Sequence, residues 1–122
     1  MSGEGAFPIA QLTSDACMVA VRGELDGSTA WRLQDALGAA AETGARHLIA
    51  DLGGVTYLDA DALAVLAASA AHIHRAGGHL VIVTDDPWLV RLLGTGDLDG
   101  MARVEPSLRD VVRDLRVPAA AE

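Results

Sequence analysis

Residues 47–69 read HLIADLGGVTYLDADALAVLAAS, and two hydrophobic periods meet inside them. His47 to Leu52 is a short apolar run ended by Gly53-Gly54, the pattern of a buried strand. From about Asp61 to Arg75 the period changes. Leu63, Leu66, Ala70 and Ile73 fall on one face of a helix that Gly77-Gly78 terminates. A strand followed by such a helix predicts a crossover and a parallel sheet. At the junction lie Asp59 and Asp61, charged residues in an otherwise apolar stretch. Unpaired charge is costly to bury. Either carboxylate relieves that problem by capping the helix, where free N–H groups and the positive dipole end receive it.

Working outward, the same alternation recurs. Phe7 to Leu12 and Cys17 to Leu25 read as strands joined by a hairpin-type turn at Thr13-Ser14-Asp15. Asp26-Gly27-Ser28 supplies a turn and helix cap, and Ala30, Leu33, Leu37 and Ala40 mark a helix from Thr29 to about Thr43, stopped by Gly44. Downstream, HLVIVT (79–84) is a strand, and Pro87 suits the first position of a short helix that ends at Gly94-Thr95-Gly96. Met101 to Val104 reads as an edge strand. Ser107 to Asp110 resembles a capping box, ahead of a helix with Leu108, Val111, Val112 and Leu115 on one face. The expectation is one α/β domain over 1–122, with a core from about 7 to 116 and frayed ends. A small, mixed, mostly parallel sheet of four to five strands is flanked by about four helices.

Composition narrows the function. The chain has 17 acidic and 9 basic residues, all of the latter Arg, for a net charge of −8. That charge repels nucleic acid and anionic lipid and favours a neutral or basic protein partner. The lone Cys17 excludes an internal disulfide and reads as a core residue. With neither a leader-like start nor a long apolar run, a cytoplasmic location is expected.

Loops leaving parallel strands gather on one sheet edge. Here Glu24 to Gly27, Gly54 to Asp61 and Thr84 to Asp86 all bring carboxylates there. Such an edge could hold a hard cation, but a receiver-type phosphorylation site also needs a Lys, and there is none. No phosphate-binding glycine loop, nucleophile motif or metal-spaced histidine pair is present, so neither an enzyme nor a cofactor is expected. The helix after Asp59 is apolar or small nearly all round, since Ala64, Val65, Ala68 and Ala71 occupy its other faces. It is either sandwiched within the domain or docked against a partner. Trp31 lies off the apolar stripe of the first helix near the same edge, which favours a partner surface.

The ordered segments VRGELDGSTAWRLQDAL (21–37), HLIADLGGVTYLDADALAVLAAS (47–69) and GGHLVIVTDDPWLVRLLGTGDLD (77–99) resemble the STAS domain of bacterial anti-sigma factor antagonists. The resemblance implies the STAS fold and a protein-binding role in transcription regulation. It implies as partner an anti-sigma factor that is also a serine kinase with a histidine-kinase-like ATPase fold, bound by a chain otherwise monomeric. In the family the phosphoacceptor is the Ser or Thr directly after the residue matching Asp59, usually followed by a hydroxyl residue and Gly. Those positions here are Ala60, Asp61 and Ala62, so phosphorylation at the family site is not expected. Together with the helix-face reading above, the expected partner-binding set is Asp26, Trp31, Asp59, Ala60, Asp61, Ala62, Ala64, Val65 and Ala68.

Three functions fit. One is an antagonist outside kinase control, competent if Ala60 acts like the unmodified state or weakened if Asp61 imitates phosphate. Another is a scaffold or accessory subunit of a stress-signalling complex or a lipid-transporting ABC system. The third is a small-ligand sensor. The first, in its competent form, is favoured.

Overall fold

A computed structural model describes residues 7–94, 98 and 100–116. In chain order the elements are β1 Ile9–Thr13, β2 Ala16–Leu25, α1 Ala30–Glu42, β3 His47–Leu58, α2 Ala60–Arg75, β4 His79–Val83, α3 Pro87–Gly94, β5 Ala102–Glu105 and α4 Leu108–Arg116. The five strands form one sheet in sequential order. β1 is antiparallel to β2, and the remaining neighbours are parallel. This is the α/β architecture expected from the strand–helix alternation.

The sequential order explains the layering. Crossovers of constant right-handed sense that step one strand at a time deliver every connecting helix to the same face. The core agrees: Leu33 and Leu37 of α1, Leu66, Ala70 and Ile73 of α2, and Leu89 and Leu93 of α3 pack in one cluster with Val19, Leu48, Ala50 and Ile82. The opposite face is left to α4, whose Val111 packs with Ile49, Val81 and Val83, flanked by Met18 and Leu12. Cys17 lies in the main core, 1% exposed. Among the described residues, no helix is long and apolar enough to cross a membrane.

β3 departs from the expected strand. It does not end at Gly53-Gly54 but runs on to Leu58. Against β2 the register passes from Ala20↔Asp51 to Arg22↔Gly54, so Leu52 and Gly53 face Val21 alone, and a further irregularity precedes Glu24↔Tyr57. The glycines make this continuation possible. The N–H of Gly53 donates to Asp51 Oδ1 at 3.0 Å. A Cβ on Gly54 would lie 3.0 Å from that of Arg22. The pair therefore permits a bulge and close strand approach, which is the other meaning of glycine in a strand. The expected helix end at Gly94-Thr95-Gly96 lies partly outside the described residues.

Candidate functional site

The extended β3 carries the chain to the sheet edge, where Asp59 starts α2. Its backbone is extended, with φ −99° and ψ −175°, as a cap requires. Its Oδ1 accepts from the Ala62 N–H at 3.0 Å and its Oδ2 from the Gly27 N–H at 3.2 Å. The Asp59 N–H in turn donates to the Leu25 carbonyl at 3.0 Å. One residue thus caps α2 and fastens it to the β2–α1 loop. Of the two aspartates that could cap, Asp59 does so.

Asp61 occupies the first turn of α2, where its charge meets the positive end of the dipole. Its carboxylate lies over Gly27: a Cβ there would sit 2.7 Å from Asp61 Oδ2. The β2–α1 loop is shaped by Asp26. Its Oδ1 accepts from the Ser28 hydroxyl at 2.7 Å and the Ser28 N–H at 2.9 Å. Those bonds, the hydroxyl first, hold the Asp26 carboxyl below its ordinary range. The Thr29 hydroxyl accepts from the Asp26 N–H at 2.9 Å and donates to the Glu24 carbonyl at 3.0 Å. The cap of α1 is Thr29, and its side chain makes no bond to the helix's own first turn. Asp26-Gly27-Ser28 is therefore the turn alone, not the cap.

The expected site residues divide by exposure. Ala60, Asp61, Ala64, Ala68 and Trp31 are exposed, while Asp26, Asp59 and Val65 are half-buried. Ala62 is 0% exposed and belongs to the main core, so it faces inward and leaves the accessible set. It follows Ala60 by two positions, about 200° around the helix, so the two cannot share an outward face. The apolar surround of α2 divides into a packed side and an open side. Its Leu66 and Ala70 side is packed in the core, and its Ala64, Val65 and Ala68 side is open. Those three line an open groove of about 440 Å³ against Leu37, Gly38 and Ala41 of α1. At the head of α1 Trp31 is 52% exposed, with the Arg32 guanidinium 5.7 Å from its ring centroid.

The third loop caps α3. Asp86 Oδ1 accepts from the Trp88 N–H at 2.9 Å, and the hydroxyl of buried Thr84 accepts from the Asp86 N–H at 3.2 Å. Among the described residues, no three His, Cys, Asp or Glu side chains gather to hold a metal ion. The arrangement is an exposed, acidic ledge of small residues at the start of α2. Two residues outside the expected set also stand at this end. Tyr57, 47% exposed, stacks on Trp88, 41% exposed, with centroids 6.2 Å apart and rings 16° from parallel. The available signal was the scarcity of aromatics, 3% of the chain. Their pairing depends on the run of β3 beyond its glycines.

The family model described as Mlab, STAS domain matches residues 10–110. An anti-sigma factor antagonist from Mycobacterium paratuberculosis superposes with a TM-score of 0.75 at 26% identity, over 95% of this chain and 99% of that one. A putative anti-sigma factor antagonist from Thermotoga maritima gives 0.76 at 19% identity, over 90% and 94% of the two chains. The anti-sigma factor antagonist SpoIIAA, in its unphosphorylated form, gives 0.72 at 14% identity, over 93% and 100%. At their lower identities the last two share the fold.

Proposed function

The chain belongs to the STAS domain family, and on that premise we propose that it is a non-enzymatic binding module of the anti-sigma factor antagonist type. It acts by engaging an anti-sigma factor with serine-kinase activity through the start of α2, which releases a sigma factor. The observation that carries this reading is the exposed ledge of Ala60, Asp61, Ala64 and Ala68, held in place by the doubly bonded Asp59. A preformed ledge of small side chains lets a partner backbone approach closely without ordering long side chains.

Residue 60 gives the module its regulatory character. A methyl group stands where the family's phosphorylatable hydroxyl is expected, so no phosphoryl group can be attached at that atom. A phosphate there would add about −1.5 to −2 charge to the docking face. Asp61 supplies one negative charge at the next position, but that carboxylate is folded against Gly27 and serves the helix start. This placement favours a module that binds constitutively over one permanently weakened.

Purification from the native host with identification of bound proteins tests the proposal. Recovery of a histidine-kinase-like ATPase supports it, whereas recovery of an ABC ATPase replaces it with the accessory-subunit reading. Asp61→Ser separates the two binding states: a large gain in affinity for the recovered ATPase would show that Asp61 imitates phosphate. Incubation with that ATPase and ATP leaves residue 60 unmodified, and Ala60→Ser creates an acceptor.

A further inference from the structure

We propose that the stacked rings of Tyr57 and Trp88 form a second docking point, one that receives an arginine side chain from a partner protein. It goes beyond the reading of the α2 ledge and stands on different residues. Both rings are nearly half exposed and lie almost parallel, with centroids 6.2 Å apart. Exposed aromatic pairs of this kind are enriched at binding hot spots, because they offer large contact area at low cost in side-chain order.

The surroundings choose the occupant. Glu24, exposed, lies opposite Tyr57 in the β2–β3 register. Asp85 and Asp86, both exposed, immediately precede the helix that carries Trp88, and Asp86 caps the Trp88 N–H. The strand and loop that flank the aromatic pair therefore carry three exposed acids, in a chain of net charge −8. A cation over the π-face with acids at the rim is recognised twice, by the ring quadrupole and by charge. Arginine suits it better than lysine, since the planar guanidinium stacks on an aromatic face while its N–H fork reaches a carboxylate. The molecule already shows such a contact at its other indole, where Arg32 lies over Trp31.

The test uses ¹⁵N-labelled Trp31→Phe protein, in which Trp88 is the sole indole. It is titrated at low salt with the blocked pentapeptide Gly-Arg-Gly-Arg-Gly and with its lysine and citrulline counterparts, following the Trp88 Nε1–H resonance. The expected result is a saturable shift with the arginine peptide, affinity about three- to tenfold weaker with lysine, and no shift with citrulline. Tyr57→Ala, verified as folded by its backbone spectrum, loses the response; Ala60→Glu keeps it. No saturable shift with arginine, an equal one with citrulline, or one that survives Tyr57→Ala overturns the proposal. So does peptide-independent broadening that grows with protein concentration and vanishes in Tyr57→Ala, which assigns the rings to a second copy. Because the readout is at Trp88, none of these results touches the α2 ledge, and failure of the ledge leaves this site in place.

Discussion

At the end of the sheet where α2 starts, two carboxylates on one helix add to the backbone ties between loops. At the opposite end backbone bonds predominate, beside a single carboxylate tie in which Asp15 Oδ1 accepts from the Arg46 N–H at 3.1 Å. Asp59 joins α2 to the β2–α1 loop through both of its oxygens, and Asp61 covers Gly27. Across the sheet, the His47 N–H donates to the Asp15 carbonyl at 3.0 Å and the His79 N–H to the Arg46 carbonyl at 2.8 Å. There Gly78 is enclosed by Ile73 Cγ2 at 3.0 Å and the Arg46 carbonyl at 3.2 Å from where a Cβ would stand. Side-chain ties can be loosened by a partner, by protonation or by one substitution. Backbone ties and a close-packed glycine move only with the fold. The difference places the greater adaptability at the α2 end and the greater fixity at the other.

The largest effect is expected at the fixed end. Gly78→Ala forces a methyl group against backbone and a packed Ile73, and overpacking of this kind costs about 1–3 kcal/mol. A denaturant midpoint close to wild type would break the contrast. At the adaptable end, Asp59→Ala removes a cap and the tie to Gly27. Loss of a cap costs about 0.5–2 kcal/mol, so its thermal midpoint should fall by less than that of Gly78→Ala. Amide exchange at Gly27 and Ala62 should accelerate together, since one carboxylate holds both N–H groups.

Gly27→Ala sharpens the comparison further. Its methyl meets the end of a movable side chain, 2.7 Å from Asp61 Oδ2, so the loss should be smaller than at Gly78. It should also largely disappear in an Asp61→Ser background, giving a coupling energy on the order of 0.5 kcal/mol or more in a double-mutant cycle. The smallest effect concerns pH. His47 stacks on His79 at 5.5 Å, and burial holds its pKa below the ordinary value, against an opposing pull from Asp15 and with a further depression from His79. A depressed folded pKa means that the unfolded chain binds the proton more readily. Its contribution is therefore complete above the ordinary value near 6.5 and declines as pH falls through it towards the folded pKa. An NMR titration midpoint for His47 below that value, with His47→Phe flattening this part of the stability profile, is the expected outcome.

Much of the architecture was legible because the periods were clean. Cys17, Val19, Val21 and Leu25 are all buried along β2, as their alternation implies, and Pro87 opens α3. What stayed hidden shares one cause: it depends on contacts between segments distant along the chain. Gly53-Gly54 has one local meaning as a terminator and another when β2 lies alongside it, and only the neighbour decides. Ala62 looked like Ala64 and Ala68 in composition, but its angle about α2 turns it to the core. Asp59 and Asp61 were equal candidates for the cap until the β2–α1 loop gave one of them a second N–H to hold. The Tyr57–Trp88 stack joins residues from β3 and α3, and no short motif records such a meeting.

Cys17, the sole thiol of the chain, lies near the start of β2, between β1 and β3, where almost no solvent reaches it. A sulfhydryl reagent can modify it only during excursions that part β2 from its neighbours or from the helices above. The labelling rate therefore clocks how often the middle of the domain opens. Because the reporter is native, the sealed interior and the exposed start of α2 can be followed in the same unaltered sample, each by its own signal.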